Sequence, residues 1–156
     1  MPIFLLLAVL LLAGGVAVGK VIGKSPSIIR STEELEPGFR ARFIAFVLAA
    51  KARGTPLVVA ETYRAPERQA WLYGSSRASY LYNGVEYGKP DGPWLTDRSP
   101  EHPSEHQKRQ AADTIPGVKW NGDDEFRAYM MALVPLAKSF GLKNLGAKDA
   151  GHWENA

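Results

Sequence analysis

The amino-acid sequence predicts a single α+β domain that follows an apolar N-terminal segment. Three observations lead to this fold class: an uncharged apolar run at the start, three segments in which apolar residues recur at helical spacing, and short β-branched segments between them. Without the apolar run, roughly 130 residues remain, which is enough for one modest hydrophobic core. The predicted order is helix, strand, helix, long loop, strand, helix and short final strands.

The N-terminal segment has the composition of a membrane-directed sequence. No residue from Pro2 to Gly19 is charged, and residues 3–12 are almost all large and apolar, which leaves no polar face for a soluble helix. The first basic residues, Lys20 and Lys24, follow the run, and the positive-inside tendency would then hold the rest of the chain in the cytoplasm. Small residues near its end also fit a signal-peptide cleavage site. A cleaved signal, a permanent anchor and a releasable anchor are therefore all open.

The chain divides into three predicted parts. Residues 1–24 form a hydrophobic signal or membrane-anchor segment, in which we expect a helix that contacts the inner membrane through residues 2–19. Residues 25–32, which begin with Ser-Pro-Ser, form a linker. Residues 33–156 form the folded domain.

The first half of this domain alternates between helix and strand. Apolar residues at spacings of three and four predict an amphipathic helix from Glu36 to Arg53, which Gly54 ends. Residues 56–62 are short and β-branched, and they predict a buried strand. Proline then lies in the first turn of a second predicted helix, which reaches Gly74.

The second half begins with about 30 loop-like residues. Within them, an Asn-Gly pair between aromatic and branched residues predicts a β-hairpin over residues 80–87. A strand is predicted over residues 111–115, and apolar periodicity predicts one helix over residues 123–140. At the end of the chain, Gly151 and Trp153 indicate a close-packed final strand rather than a frayed tail.

The composition restricts the chemistry that this domain can perform. The sequence has no cysteine, which excludes disulfides, thiolate nucleophiles and cysteine-rich zinc ribbons. Its formal net charge of +3 suits a polyanionic surface such as a cell wall, anionic lipid or nucleic acid, although an ordinary basic surface explains it equally well. Because neither a nucleic-acid motif nor a phosphate-binding glycine loop occurs, we expect no nucleic-acid partner.

Two histidines and a carboxylate in the last third of the chain are candidate metal ligands. His106, Asp113 and His152 would make a zinc site with one position left for water, which is the arrangement of a hydrolytic zinc. Donors on one zinc lie within roughly 3.5 Å of one another, so the backbone must turn between residues 106 and 113. Alternatives are open: His102 could be a ligand, Glu154 could be a catalytic base, and the residues could be scattered by chance.

A series of short motifs makes the pattern more specific. In chain order they are Thr62-Tyr63-Arg64 with Gln69 in the following helix, Ser104-x-His106, Ala111-x-Asp113, and Asp149-x-x-His152-Trp153. Together they resemble the zinc-dependent D-Ala-D-Ala carboxypeptidase family, which includes VanY-like carboxypeptidases and the L-alanyl-D-glutamate endopeptidases of phage endolysins. The resemblance covers about residues 33–154. It implies the hedgehog or D-Ala-D-Ala peptidase fold, in which helices pack around a small antiparallel sheet.

The resemblance also implies roles at a catalytic site. His106, Asp113 and His152 would bind one Zn²⁺ per chain, and Asp149 would act as the general base. Arg64 would hold the substrate carboxylate or stabilise charge on the carbonyl oxygen, or it could be a structural ion-pair residue.

Three further residues near these motifs carry expectations of their own. Ser104 and Gln69 are expected to bind substrate, and Glu61 beside Arg64 is expected at the surface. One residue departs from the family pattern: Arg109 replaces a glycine three residues after His106, where a positive φ is easy for glycine and costly for arginine.

The function that this resemblance implies is hydrolysis of a peptide bond in the peptidoglycan stem. The preferred bond is L-Ala to D-Glu, with the D-Ala-D-Ala carboxypeptidase reaction as the alternative. We expect a monomeric phage-type lysis or cell-wall-degrading enzyme at the bacterial inner membrane, in the periplasm or at the cell wall. The competing hypothesis is a membrane-tethered, non-catalytic peptidoglycan-binding module of the same fold, which the Arg109 departure favours.

Overall fold

The computed structural model describes residues 21–156. The apolar segment predicted at residues 2–19, and with it the expected N-terminal helix, lies outside the described residues. The helices are α1 (Pro37–Ala52), α2 (Pro66–Gly74), α3 (Gly122–Ala132) and α4 (Val134–Ser139). The strands are β1 (Val21–Ile22), β2 (Leu57–Glu61), β3 (Leu81–Tyr82), β4 (Val85–Glu86), β5 (Ala111–Pro116), β6 (Leu142–Asn144) and β7 (His152–Asn155). The α+β class is confirmed.

Within the described range 21–156, no helix combines the length and apolar character needed to cross a membrane.

Helix α1 forms the centre of the hydrophobic core. Its N-terminus is capped by the Glu36 carboxylate, which accepts hydrogen bonds from the first free backbone N–H groups. Gly54 ends the helix region with a φ of 77°, a conformation that glycine adopts without steric strain. Four of the five residues whose spacing predicted the apolar face of α1 are fully buried, Phe39, Phe43, Phe46 and Ala50, whereas Val47 is half-buried.

The predicted single helix over residues 123–140 is wrong in one respect. The chain forms two helices there, α3 and α4, which meet at Leu133. Pro135 lies in the first turn of α4, where its missing N–H would have interrupted a continuous hydrogen-bond ladder. The apolar face still reaches the core, since Met130, Leu133 and Ala137 are all buried.

The main sheet is antiparallel, with the strand order β2-β5-β7-β6. Side chains alternate between its two faces, so the central strands each contribute to the core and to the opposite face. On the core side, the buried Trp153 indole donates to Thr114 Oγ1 at 2.7 Å and packs on Phe46 with ring centroids 4.8 Å apart. On the opposite side, Asp113 of β5 lies directly across from His152 of β7.

A second, smaller sheet has the order β1-β4-β3. The hairpin β3-β4 is the one predicted from Asn83-Gly84, and both turn residues have a positive φ, of 48° and 78°. Val21–Ile22, from the segment predicted as signal or anchor, pairs with β4 in parallel. The predicted linker also contacts the domain, because Thr62 donates through its backbone N–H to the Ile29 carbonyl. The predicted domain boundaries stay predictions.

Candidate metal centre

Strand register brings two of the three predicted ligands together. Asp113 lies in the middle of β5, and the antiparallel pairing places His152, the first residue of β7, opposite it. Glu61 at the end of β2 is paired with Asp113 from the other side, after an irregularity in the ladder. Three polar residues from neighbouring strands therefore form a row across one face of the sheet.

The third ligand, His106, precedes β5 in a turn. The turn is closed by hydrogen bonds from Arg109 N to the His106 carbonyl (3.1 Å) and from Gln110 N to the Glu105 carbonyl (2.8 Å). The backbone therefore reverses between His106 and Asp113, as the required donor spacing predicted. This reversal lets donors seven residues apart in sequence approach the same point.

Arg109 keeps the conformation that a glycine would adopt. Its φ is 65°, in the left-handed region that costs a non-glycine residue about 1–2 kcal/mol. The guanidinium donates to the Glu34 carbonyl at 2.9 Å and to its carboxylate at 2.6 Å, and it lies 4.2 Å from the centroid of the Tyr63 ring. The departure from the family pattern therefore leaves the ligand turn formed.

The three donor atoms meet at one point. His106 Nε2 lies 3.1 Å from Asp113 Oδ1, His152 Nδ1 lies 3.0 Å from the same oxygen, and the two nitrogens are 3.2 Å apart. Ligand atoms at 2.1 Å around a tetrahedral zinc are about 3.4 Å apart. Within the described part of the chain this trio is the group whose spacing fits a metal ion.

The outer nitrogen of each imidazole has a fixed acceptor. His106 Nδ1 donates to the Thr62 carbonyl at 2.6 Å, because a carbonyl can only accept. His152 Nε2 faces Glu154 Oε2 at 3.0 Å, and Lys143 holds the other carboxylate oxygen at 3.1 Å. Each histidine therefore directs its other nitrogen toward the shared point, and that nitrogen would be unprotonated when a metal is bound, as in metal-binding histidines. His106 would bind through Nε2 and His152 through Nδ1.

The electrostatics favour a charged carboxylate at the centre. Burial raises the pKa of Asp113, but hydrogen bonds and positive charge from His106 and His152 outweigh this and hold the pKa well below its usual range. Burial lowers the pKa of His152, yet the hydrogen bonds and negative charge of Asp113 and Glu154 raise it to about 9.

A cleft of about 470 Å³ opens over the donor group. It is lined by predicted site residues and by further charged side chains: Arg64, Ser104, His106, Asp113, Asp149, His152, Arg98, Glu105, Lys108 and Glu154. Asp149 ends a short 3₁₀ turn just before β7. Asp149 is exposed, but partial burial of its carboxyl in the cleft raises the pKa, an effect that the positive charge of His152 partly opposes.

Arg64 is fixed at the edge of this cleft by a buried carboxylate. Its guanidinium donates to Glu61 Oε2 at 2.7 Å and to Gln69 Oε1 at 3.3 Å, and it lies 3.4 Å from Asp113 Oδ2. Ser104 Oγ donates to the same Gln69 oxygen at 3.3 Å. Because Gln69 has no exposed surface, any influence that it has on a substrate acts through Arg64 or Ser104. The substrate-binding roles of these residues stay predictions.

Two features of the site were missed in the sequence. Glu61 is 7% exposed rather than at the surface, and it accepts hydrogen bonds from both Arg64 and Arg68. Its position at the end of a β-branched strand was the available signal. The Thr62 carbonyl carried no signal, because a backbone acceptor has no sequence signature. Of the alternatives, His102 is exposed and bonds Ser99 outside the donor group.

Comparison with known structures identifies the fold that holds this site. The chain is similar to the LdcB LD-carboxypeptidase, with a TM-score of 0.53 and 17% identity over 86% of this chain and 64% of that chain. It therefore spans less than two thirds of the length of LdcB. It is also similar to the vancomycin resistance D,D-pentapeptidase VanY in complex with Zn(II), with a TM-score of 0.50 and 16% identity over 86% of this chain and 85% of that chain.

A third similarity is weaker. The L-Ala D-Glu endopeptidase ChiX from Serratia marcescens gives a TM-score of 0.48 at 16% identity, over 83% of this chain and 89% of that chain, and supports no conclusion about the bond cleaved. No protein-family model and no curated protein matches the chain. The fold implied by the sequence motifs is confirmed: this chain has the fold of the LdcB LD-carboxypeptidase and the D,D-pentapeptidase VanY.

Proposed function

We propose that this chain is a zinc-dependent peptidase that hydrolyses a peptide bond in the stem of bacterial peptidoglycan. The observation that carries the proposal is the convergence of His106 Nε2, Asp113 Oδ1 and His152 Nδ1 within 3.2 Å of one another at the floor of a polar cleft. A histidine pair with one carboxylate is a ligand set of hydrolytic zinc sites. The shared fold with VanY, which is in complex with Zn(II), supports zinc as the metal.

The residues around the donor group have complementary tasks. When bound, zinc supplies a Lewis acid and lowers the pKa of water toward neutrality. Asp149, whose pKa is raised by removal from water, accepts the proton of the attacking water and delivers it to the leaving amine. Arg64, held in place by Glu61, presents its planar guanidinium to the substrate carboxylate or to the oxygen on which negative charge develops.

The preferred bond is L-Ala to D-Glu, and the D-Ala-D-Ala carboxypeptidase reaction is the alternative. Arg64, Arg98 and Lys108 line the cleft, and these cations suit the carboxylates of a stem peptide. A phage-type lysis or wall-degrading enzyme is the biological setting that we propose. It would act as a monomer at the inner membrane, in the periplasm or at the cell wall, delivered by residues 2–19.

Muropeptide mass spectrometry with and without a chelator tests the proposal. We expect chelator-sensitive release of peptides, and loss of both zinc and activity in His106→Ala, Asp113→Ala and His152→Ala. Asp149→Ala should retain zinc and lose turnover. Full hydrolysis by a zinc-free preparation would refute the assignment.

The competing function is a non-catalytic binding module. It predicts retention on purified peptidoglycan with no new amino groups. Arg109 was the feature in its favour, but Arg109 adopts a φ of 65° and leaves the ligand turn formed, which removes that argument. Measuring released amino groups on the same wall preparation distinguishes the two.

A further inference from the structure

A second hollow lies on the other side of the donor group from the cleft. It has a volume of about 340 Å³, within the range of roughly 300–1,000 Å³ typical of ligand pockets. Its walls come from β5, the start of α3 and the segment before β7, and they include Ile115, Phe126, Asp123, Ala147 and Lys148. The cleft and the hollow share two lining residues, Asp113 and Asp149. These two residues belong to the proposed catalytic site.

The strand register shows how the two spaces are arranged. Ala111, Asp113 and Ile115 alternate onto one face of β5, and four strand steps carry the chain about 13 Å. Glu154, which lines the cleft, is opposite Ala111, whereas Ile115 lines the hollow. Along β5 the order is therefore cleft, donor group at Asp113, and hollow. A ligand that follows β5 from one space to the other passes over the donor group.

The two spaces differ in chemistry. The cleft carries three cations, Arg64, Arg98 and Lys108, beside four carboxylates, and Lys108 is paired with that of Glu105. The hollow has apolar walls at Ile115 and Phe126, with charged residues of α3 and the exposed Lys148 among its lining. A space of this kind accepts small aliphatic side chains and the backbone of an extended peptide.

We propose that the hollow is a second substrate subsite, which holds the part of the peptide on the far side of the scissile bond from the cleft. The enzyme then cleaves inside a peptide rather than only at its end. This inference rests on the proposed function, and it deepens that function by assigning an internal bond. A carboxypeptidase reaction needs room for only a single terminal residue on one side of the donor group.

Two neighbouring residues of α3 provide a matched pair of variants. Asp123 lines the hollow, whereas Asp124 does not, and both are highly exposed partners of Arg127. Asp123→Tyr should therefore fill the mouth of the hollow, and Asp124→Tyr should remove an equivalent ion pair without filling it. Ala147→Phe fills the hollow from the opposite wall, and Ala132→Phe, at an exposed position outside its lining, is its control.

The assay uses synthetic stem peptides that share one scissile bond and are extended on the amino side, on the carboxyl side or on neither. We expect Asp123→Tyr and Ala147→Phe to raise KM by about tenfold for substrates extended on one side only, with kcat for the unextended peptide unchanged. Arg98→Ala, in the cleft, should raise KM for the opposite extension. Equal effects on all substrates, or none, would overturn the subsite. If the wild-type protein hydrolyses no wall peptide, the proposed function itself has failed.

Discussion

Removal of the Glu154 carboxylate should weaken zinc binding, although Glu154 is not itself a ligand. Its Oε2 accepts from His152 Nε2 at 3.0 Å, which keeps Nδ1 free for the metal and makes the imidazole more basic. Loss of such a partner weakens metal affinity by about 10- to 100-fold. We expect Glu154→Ala to weaken zinc affinity by close to 100-fold, because the side chains of Glu154 and His152 are only 12% and 8% exposed and water replaces the carboxylate poorly.

The same contacts predict a much smaller effect for Lys143. Its ammonium lies 3.1 Å from Glu154 Oε1, but half of its side chain is exposed, and exposed ion pairs contribute about 0–1 kcal/mol. Lys143→Ala should therefore weaken zinc binding by no more than about fivefold. Glu105→Ala is the matched control, since Glu105 is a carboxylate of the same cleft that pairs with Lys108 instead.

Competition between each variant and a fluorescent zinc chelator at pH 7.5 measures these affinities directly. Glu154→Gln separates charge from hydrogen bonding, because its amide oxygen can still accept while its charge is gone. The zinc affinity of Glu154→Gln should lie between those of the wild type and Glu154→Ala. A zinc dissociation constant for Glu154→Ala within threefold of that of Glu105→Ala would refute the role assigned to this carboxylate.

Three further predictions concern the framework of the site. The pKa of His152 is raised from 6.5 to about 9, so the stability that its protonation contributes is complete below pH 6.5 and is lost as the pH rises through 9. In urea unfolding, the chelated protein should therefore lose up to about 3 kcal/mol of its free energy of unfolding over that window. Chelated His152→Gln should show no such loss. In thermal unfolding, Arg109→Gly should be more stable than Arg109→Ala by about 1 kcal/mol, because only alanine retains the strain of the positive φ. A more stable Arg109→Ala would contradict the claim that the backbone is strained at this position. A Cβ at Gly151 would lie 2.7 Å from the Thr114 carbonyl oxygen, so Gly151→Ala should destabilise the domain by about 1–3 kcal/mol and weaken zinc binding; an unchanged melting temperature would argue against this close contact.

Local patterns in the sequence predicted most of the fold. The periodicity of Phe39, Phe43 and Phe46 is a property of the helix itself, and Asn83-Gly84 has a turn conformation that few other pairs adopt. The break between α3 and α4 was also accessible, since Pro135 excludes a continuous helix. The break was missed because the apolar spacing continues across it. That spacing reflects packing against the core, which both helices share, and not one continuous helix.

The site was predictable only in part, because strand register is a tertiary property. Nothing local to Asp113 or His152 indicates that they are opposite each other, and the motif order supplied that information by resemblance. The carbonyl of Thr62 and the buried Glu61 depend on how β2 packs beside β5, which no spacing along the chain encodes. Sequence therefore identified the candidate ligands, whereas the groups that orient them required the structure.

The environments of Asp149 and Glu154 favour Asp149 as the general base of the proposed reaction. For both, removal from water raises the pKa, but only Glu154 has hydrogen bonds from His152 and Lys143 that reverse the shift and lower it. Within the described part of the chain, the Asp149 carboxylate has no hydrogen-bond partner and lines both the cleft and the hollow. A general base is most effective when its pKa moves toward the working pH and its oxygens are free to take a proton. Asp149→Asn should accordingly lower kcat by about 100-fold or more at unchanged zinc affinity, which is the opposite pattern to Glu154→Ala. A loss of zinc in Asp149→Asn would contradict the assignment of Asp149 as the base and of Glu154 as the residue that orients a zinc ligand.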